Sequence, residues 1–359
     1  VIKIGSSSLT GKAGDELDPQ AVDHLVDLVE SARQRGAEVV VVSSGAIAAG
    51  IAPLGLKARP KDLATQQAAA SVGQGLLIHR YTESFARYGI TASQILLTTQ
   101  DIVRRSHYQN AQRTLYRLLA LGVVPVINEN DTVGTQEIRF GDNDRLAALI
   151  SLLIGADLLV LVSDIDALYD APPSQSGAER VSKVSDVADI DDSTLGGAGN
   201  SGVGSGGMIT KIEAARIATG AGIPMLLTSL EGAERAMSGA DFGTYFSAQP
   251  SKARSRMLWL AHASTPAGRL VVDAGAVTAL IERGVSLLPA GVTAVDGEFF
   301  AGDVVEISSP DGAVIARGLV GFDSTEIPKM LGRTTKELAK ELGPEYEREL
   351  VNRDDLVLL

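Results

Sequence analysis

The sequence predicts an α/β protein in which a mainly parallel sheet is sandwiched by helices, with a small β-rich domain behind it. Three observations carry that expectation. Five short runs, at residues 1–4, 37–42, 123–127, 158–162 and 223–227, are apolar, β-branched and stopped by turn-formers or polar residues, as strands buried on both faces are. Stretches with helical spacing lie between them, and strands that alternate with helices build parallel sheets. Beyond residues 250–268 the runs become closely spaced and are punctuated by Asp296-Gly297 and Pro310-Asp311-Gly312, which suits a compact β-rich module. A chain of 359 residues has the length for two domains, and the division is placed at 265, giving 1–265 and 266–359.

The first strand holds Lys3 ahead of the turn Gly5-Ser6-Ser7-Ser8. Burying an ammonium is costly unless an anion meets it, so Lys3 either reaches a phosphate or snorkels outward. Pro19 then opens a helix whose Val22, Leu25, Val26, Val29 and Ala32 share helical spacing, and Gly36 ends it. The strand 37–42 runs into Ser43-Ser44-Gly45-Ala46-Ile47-Ala48-Ala49-Gly50, a small-residue turn before a helix. Ser44 either caps that helix or stands beside a bound carboxylate or phosphate, which Gly45 lets approach. Helical patterns follow at 64–87 and 108–121. After the strand 123–127 comes Asn128-Glu129-Asn130-Asp131, and Gly141-Asp142-Asn143-Asp144 opens the helix 144–154. Such carboxylates and amides accept from an α-ammonium and donate to a carboxylate, as an amino-acid pocket does; the plainer reading is a turn and an Asx cap.

The strand 158–162 leads into Ser163-Asp164-Ile165-Asp166-Ala167-Leu168-Tyr169-Asp170. A calcium loop would need glycine and glutamate where Tyr169 and Gln175 stand, so a turn beside a nucleotide is the better reading. A polar stretch at 170–205 reads as a loop over an active site. Gly202-Val203-Gly204-Ser205-Gly206-Gly207 spells G-x-G-x-x-G but follows that loop rather than a strand, and Met208 stands where a Walker loop has lysine. What remains is a Gly-rich loop before a helix at 208–219, whose Lys211 can lie with backbone donors over polyphosphate. His24, His79, His107 and His262 show no ligand spacing, so no histidine metal site or triad is expected. In the tail, runs at 270–272, 275–283, 285–287, 304–308 and 313–319 precede a charged helical stretch at 335–350.

Composition excludes several classes. No cysteine is present, which removes disulfide scaffolds, thiolate-ligated metals and a cysteine nucleophile and fits a reducing cytoplasm. Apolar runs fall short of the ~18 residues of a membrane span, so no membrane partner is expected. The net charge of −12 opposes broad binding to phosphate backbones or anionic lipid.

In this order and spacing, Lys3-x-Gly5-Ser6-Ser7 with Leu9-Thr10, the Ser43–Gly50 run, Asn128-Glu129-Asn130-Asp131, Gly141-Asp142-Asn143-Asp144, Ser163-Asp164 and Ser205-Gly206-Gly207-Met208 with Thr210-Lys211 resemble the amino acid kinase family. The chain is most similar to those members that act on glutamate and end in a PUA domain, and the likeness runs through essentially its whole length. The resemblance implies the amino acid kinase fold and ATP-dependent phosphorylation of the L-glutamate side-chain carboxylate, the first step of proline biosynthesis. By that resemblance Lys3 and Lys211 are catalytic, meeting transition-state charge. Ser44, Gly45, Asp131, Asp142, Asn143 and Asp144 take the substrate. Lys3, Ser163, Asp164 and the run Ser205, Gly206, Gly207, Met208, Ile209, Thr210 and Lys211 take ATP. Mg2+ travels with ATP, held by phosphates and water, and no residue is expected as its ligand. Ser6 and Ser163 stand where the family commonly has threonine, and Ala167 where it has glycine.

The resemblance further implies inhibition by proline, a homo-oligomer of two or four chains and a cytoplasmic setting. Aspartate, acetylglutamate, carbamate and nucleotides are rival substrates within the family; the two polar clusters and the PUA-like tail favour glutamate. PUA modules elsewhere bind RNA, but residues 268–359 hold 9 basic and 16 acidic side chains, so RNA is not expected as a partner.

Overall fold

The structure is a computed structural model that describes residues 1–11, 16–98, 101–102, 105–133, 143–171, 177–190, 207–249 and 266–359. The chain divides into two compact units, the larger formed by residues 1–102 and 109–252 and the smaller by 253–359 with 103–108. The sequence-based division at 265 falls outside the described residues.

The larger unit is built on strands β1 (Ile2–Ile4), β2 (Val41–Val42), β3 (Ala92–Leu97), β4 (Val124–Glu129), β5 (Leu159–Ser163), β8 (Lys183–Val184), β9 (Met225–Ser229) and β10 (Thr244–Phe246), with β6 (Leu168–Tyr169) and β7 (Arg180–Val181) forming a separate hairpin. The sheet order is β3-β4-β2-β1-β5-β9-β10-β8. Every pairing is parallel except that of β9 with β10. The helices are α1 (Ser6–Leu9), α2 (Pro19–Gln34), α3 (Ala46–Ile51), α4 (Leu63–Ala86), α5 (Arg105–Ala120), α6 (Asp144–Ile154), α7 (Met208–Gly220) and α8 (Ala233–Met237). Parallel strands end on one edge of the sheet, where ligands bind in open α/β folds. Here that edge carries Ser43-Ser44 after β2, Asn128-Glu129 at the end of β4 and Ser163 at the end of β5.

Side chains alternate along a strand, and β1 uses both directions. Ile2 and Ile4 enter a core with Val22, Leu25, Val26 and Val29 of α2 and Leu77, Tyr81 and Phe85 of α4. Lys3 between them points to the opposite face, toward α6 and α7, which pack on each other. Both faces of the sheet are therefore covered, as the uniformly apolar strands predicted.

The α3–α4 crossing is a backbone contact. A Cβ at Gly73 would lie 1.9 Å from the Ala46 carbonyl oxygen, and one at Gly50 would lie 2.0 Å from the Ala69 carbonyl oxygen. No side-chain rotation relieves a clash with backbone, so Gly73→Ala is expected to cost about 1–3 kcal/mol of stability and to push the 43–46 segment out of place. Urea unfolding midpoints will read the first effect, and a raised KM for the acceptor substrate the second.

The smaller unit is a five-stranded sheet of order β12-β11-β13-β14-β15, with β11 (Gly268–Val272), β12 (Val292–Asp296), β13 (Val304–Ser308), β14 (Val314–Val320) and β15 (Val351–Leu358). Helices α9 (Ala274–Arg283) and α10 (Thr335–Leu342) pack Leu280 and Leu338 into a core with Leu270, Val305, Ile307, Phe322 and Val351.

Some elements differ from the sequence-based expectation. The helix expected over 335–350 stops at Leu342, because Gly343 takes φ +127 and Pro344 follows. The chain then forms β15, antiparallel to β14. Residues 285–287 give one isolated bridge, Leu287 to Val351, rather than a strand. The strand β3 carries Ser93 and Gln94 at the open edge of the sheet, and such half-exposed strands lack a continuous apolar run. In the 37–42 run only Val41–Val42 is strand, although Val39 and Val40 are buried.

Candidate functional site

The site begins with charge. Lys3 Nζ lies 2.6 Å from Asp144 Oδ1, and Lys211 Nζ lies 3.2 Å from Asp144 Oδ2. The three residues are 1%, 3% and 0% exposed for Lys3, Lys211 and Asp144. Asp144 is the first residue of α6, where the helix dipole also favours a negative charge. The Thr210 hydroxyl, on α7 beside Lys211, lies 3.1 Å from Asp144 Oδ2 and 2.9 Å from the Gly207 carbonyl. Both ammonium groups meet the Asp144 carboxylate, and all three side chains are buried with little water around them. Buried ammonium groups held in fixed positions can stabilise negative charge on a group brought beside them.

Next to it lies a chain of amides. Asn143 Nδ2 donates to the Ser43 carbonyl at 2.5 Å and to Asn128 Oδ1 at 2.7 Å, with Ser44 Oγ at 3.3 Å. Asn128 Nδ2 donates to Gln74 Oε1 at 2.8 Å, and the Glu129 backbone N–H donates to Asn128 Oδ1 at 2.9 Å. Ser43 Oγ is 2.9 Å from the buried Tyr81 hydroxyl. Asn143 thus spends its amide hydrogens on the protein and not on a bound carboxylate. Ser44 does not cap α3: Gly45 occupies the cap position with φ +96, and no side chain bonds to the helix start.

Glu129 and Asp131 form an acidic pair beyond Asn128. Burial, with the negative charge of Asp131 adding to it, raises the Glu129 carboxyl to about 7. Burial raises Asp131 to about 6, against the opposing pull of the Arg59 guanidinium. A cation placed between them would bring both values down, so the pair is suited to an ammonium. The linkage has a definite sign. A carboxyl with a raised folded-state value contributes most stability below its unfolded value near 4.5 and loses it as pH rises through 7. Wild type is therefore expected to lose about 1–2 kcal/mol between pH 5 and 8 from this source. Urea midpoints across that range should be flatter in Glu129→Gln.

On the other side of β1, Ser163 ends β5 with its hydroxyl donating to Asp164 Oδ1 at 2.9 Å. Gly5 N–H donates to the Val162 carbonyl at 3.1 Å, which ties the turn after Lys3 to that strand end. Gly207 is the cap residue of α7, and no side chain closes that helix start. Met208, Ile209, Thr210 and Lys211 form its first turn, with Ile209 exposed.

The structure thus brings Lys3, Asp144, Lys211 and Thr210 into one cluster and Ser44 and Asn143 into an adjoining one. Asp142, Ser205 and Gly206 lie outside the described residues. Gln74 and Tyr81 did not stand out in the sequence, although they are polar groups two helical turns apart in an alanine-rich helix, and that spacing is the available signal. Among the described residues no three metal-ligating side chains stand together, and no helix is long and apolar enough to cross a membrane.

Comparisons with known proteins show the family to which the chain belongs. The family model of the amino acid kinase family matches residues 1–229, and that of the PUA domain matches residues 268–342. A glutamate 5-kinase of Streptomyces avermitilis is 61% identical over 360 residues, covering 100% of this chain and 96% of its own. Glutamate 5-kinases of Streptomyces coelicolor and Salinispora arenicola are 59% and 58% identical, covering 100% of this chain and 96% and 97% of theirs. Among solved structures, a UMP kinase from Bacillus anthracis matches with TM-score 0.47 and 13% identity, covering 69% of this chain and 95% of that one.

Proposed function

We propose, for a chain that belongs to the amino acid kinase family and carries a PUA domain behind the kinase unit, that it transfers the γ-phosphoryl group of ATP to the side-chain carboxylate of L-glutamate. The products are γ-glutamyl phosphate and ADP, and the step opens proline synthesis. The observation that carries this reading is the pairing of a buried Lys3–Asp144–Lys211 cluster, with two ammonium groups on one carboxylate, with the ammonium-seeking Glu129–Asp131 pair across the Asn143 amide. The relatives' names support the same substrate.

The chemistry asks little beyond positioning and charge. A side-chain carboxylate is already ionised at neutral pH, so its oxygen attacks the γ-phosphorus without a general base. The bond from phosphorus to the β-bridging oxygen breaks, and ADP leaves with that electron pair. Lys3 and Lys211 face the charge that spreads over the transferring group, and Asp144 holds both ammonium groups in place. Ser44, Gly45, Asp131, Asp142 and Asn143 take glutamate. Ser163, Asp164 and the 205–211 segment take ATP. The donor set fits Mg2+ carried on the phosphates and water, since Asp144 faces two lysines and no three metal-ligating side chains stand together among the described residues. When bound, the ion neutralises phosphate charge.

Proline, a cyclised relative of glutamate, is part of this reading as an inhibitor in the same pocket. It is expected to raise the apparent KM for glutamate and leave kcat unchanged in steady-state kinetics; an unchanged KM at high proline would remove it. A homo-oligomer of two or four chains, a cytoplasmic setting, domains spanning 1–265 and 266–359, and a tail without an RNA ligand complete the proposal. The test is ADP release with MgATP across L-glutamate, L-aspartate, N-acetylglutamate, carbamate and UMP. Glutamate alone should turn over, and preference for another acceptor would reassign the pocket around Asp131 and Asn143.

A further inference from the structure

The direction of the amide chain is fixed by the backbone at two points. The Ser43 carbonyl can only accept, so it must face the Asn143 NH2 group. The Glu129 N–H can only donate, so it must face Asn128 Oδ1. With those ends set, Asn128 has to turn its NH2 toward Gln74, and Gln74 has to answer with Oε1. Both Asn143 hydrogens are then in use, on Ser43 and Asn128. Asn143 Oδ1 has no hydrogen-bond partner among the described residues, and it belongs to a residue only 7% exposed. An amide carbonyl in that position attracts an ammonium and repels a carboxylate.

We propose that Gln74 is a positioning residue: by accepting from Asn128 it satisfies the end of the amide chain and holds Asn128 and Asn143 firmly in the orientation that the Ser43 carbonyl and the Glu129 N–H select, which presents Asn143 Oδ1 and so sharpens the preference for a substrate bearing a charged α-ammonium. This rests on the reading of glutamate as substrate. Gln74 acts at one remove. Asn128 is 2% exposed, and without an acceptor its buried NH2 has no partner. The amide then samples other rotamers, and the hold on Asn143 loosens.

The choice of substitutions separates this role from bulk packing. Gln74→Glu keeps an acceptor oxygen of the same reach, whereas Gln74→Met keeps the length and removes the acceptor. Each is assayed with glutamate and with glutarate, which has both carboxylates and no ammonium. In Gln74→Met, the KM for glutamate is expected to rise about tenfold, the loss of one hydrogen bond at a buried amide, while kcat and the KM for ATP stay within about threefold. The ratio of kcat/KM for glutamate over glutarate should fall by the same factor of about ten, and Gln74→Glu should stay within about threefold of wild type.

Thermal melts of both variants accompany the kinetics. An unchanged glutamate-to-glutarate ratio in a folded Gln74→Met, or an equal loss in Gln74→Glu, would overturn the proposal. So would a uniform fall in kcat and both affinities together with a lowered Tm, which is the signature of packing alone. A wild type inactive with glutamate would instead overturn the substrate reading and the proposal with it.

Discussion

Lys3→Met is expected to lower kcat/KM for the kinase reaction by about a hundredfold to a thousandfold, while the protein stays as stable as wild type or becomes more so. Removing one preorganised charge from a dry site costs about 3–4 kcal/mol of transition-state stabilisation. Stability moves differently. The wild-type cluster holds two ammonium groups against one carboxylate, and methionine fills the strand position with an apolar chain of similar length. Asp144 then still meets the Lys211 ammonium. Steady-state kinetics and urea unfolding on the same preparation check both halves. A loss of less than about tenfold, about 1.4 kcal/mol, would show that Lys3 is not placed on the transferring group.

Asp144→Asn should do the reverse and act chiefly on the fold. The change removes the carboxylate charge that both buried ammonium groups meet, and breaking a buried pair in this way costs about 3–5 kcal/mol. The double variant Lys3→Met/Asp144→Asn should recover a substantial part of that loss, because it also removes one of the two buried ammonium groups that Asp144 meets. The three unfolding midpoints together give the coupling between the residues. If the double variant is destabilised by the sum of the two single effects, the cluster is not the charge-sharing unit its geometry describes.

Much of this site was legible in the sequence because its residues break local rules. A lysine inside an apolar strand is costly without an anion, and the anion beside Lys3 is Asp144, where the sequence offered a bound phosphate or an outward turn. The polar Asn128-Glu129-Asn130-Asp131 run ends a buried strand, and Asn128 lies under Asn143, 15 residues further along the chain. Gln74 and Tyr81 were harder to see, because polar residues on helices are ordinary and their roles depend on which strand ends they face. In the tail, residues 352–355 are Asn-Arg-Asp-Asp, a charged run that hides the alternation of β15. That strand is held by pairing with β14 and by Val351 and Leu356 in the core, which no local pattern reports. The expected helix over 335–350 overlooked Gly343-Pro344, a stop written in backbone chemistry rather than hydrophobicity.

The central claim is that the reaction makes an acyl phosphate on the glutamate side chain, and hydroxylamine reads that product directly. With the 359-residue chain, MgATP, L-glutamate and hydroxylamine, glutamyl γ-hydroxamate should accumulate in step with ADP, and both should fall together in Lys3→Met. ADP released without hydroxamate, or hydroxamate formed equally well from a different carboxylate, would contradict the account.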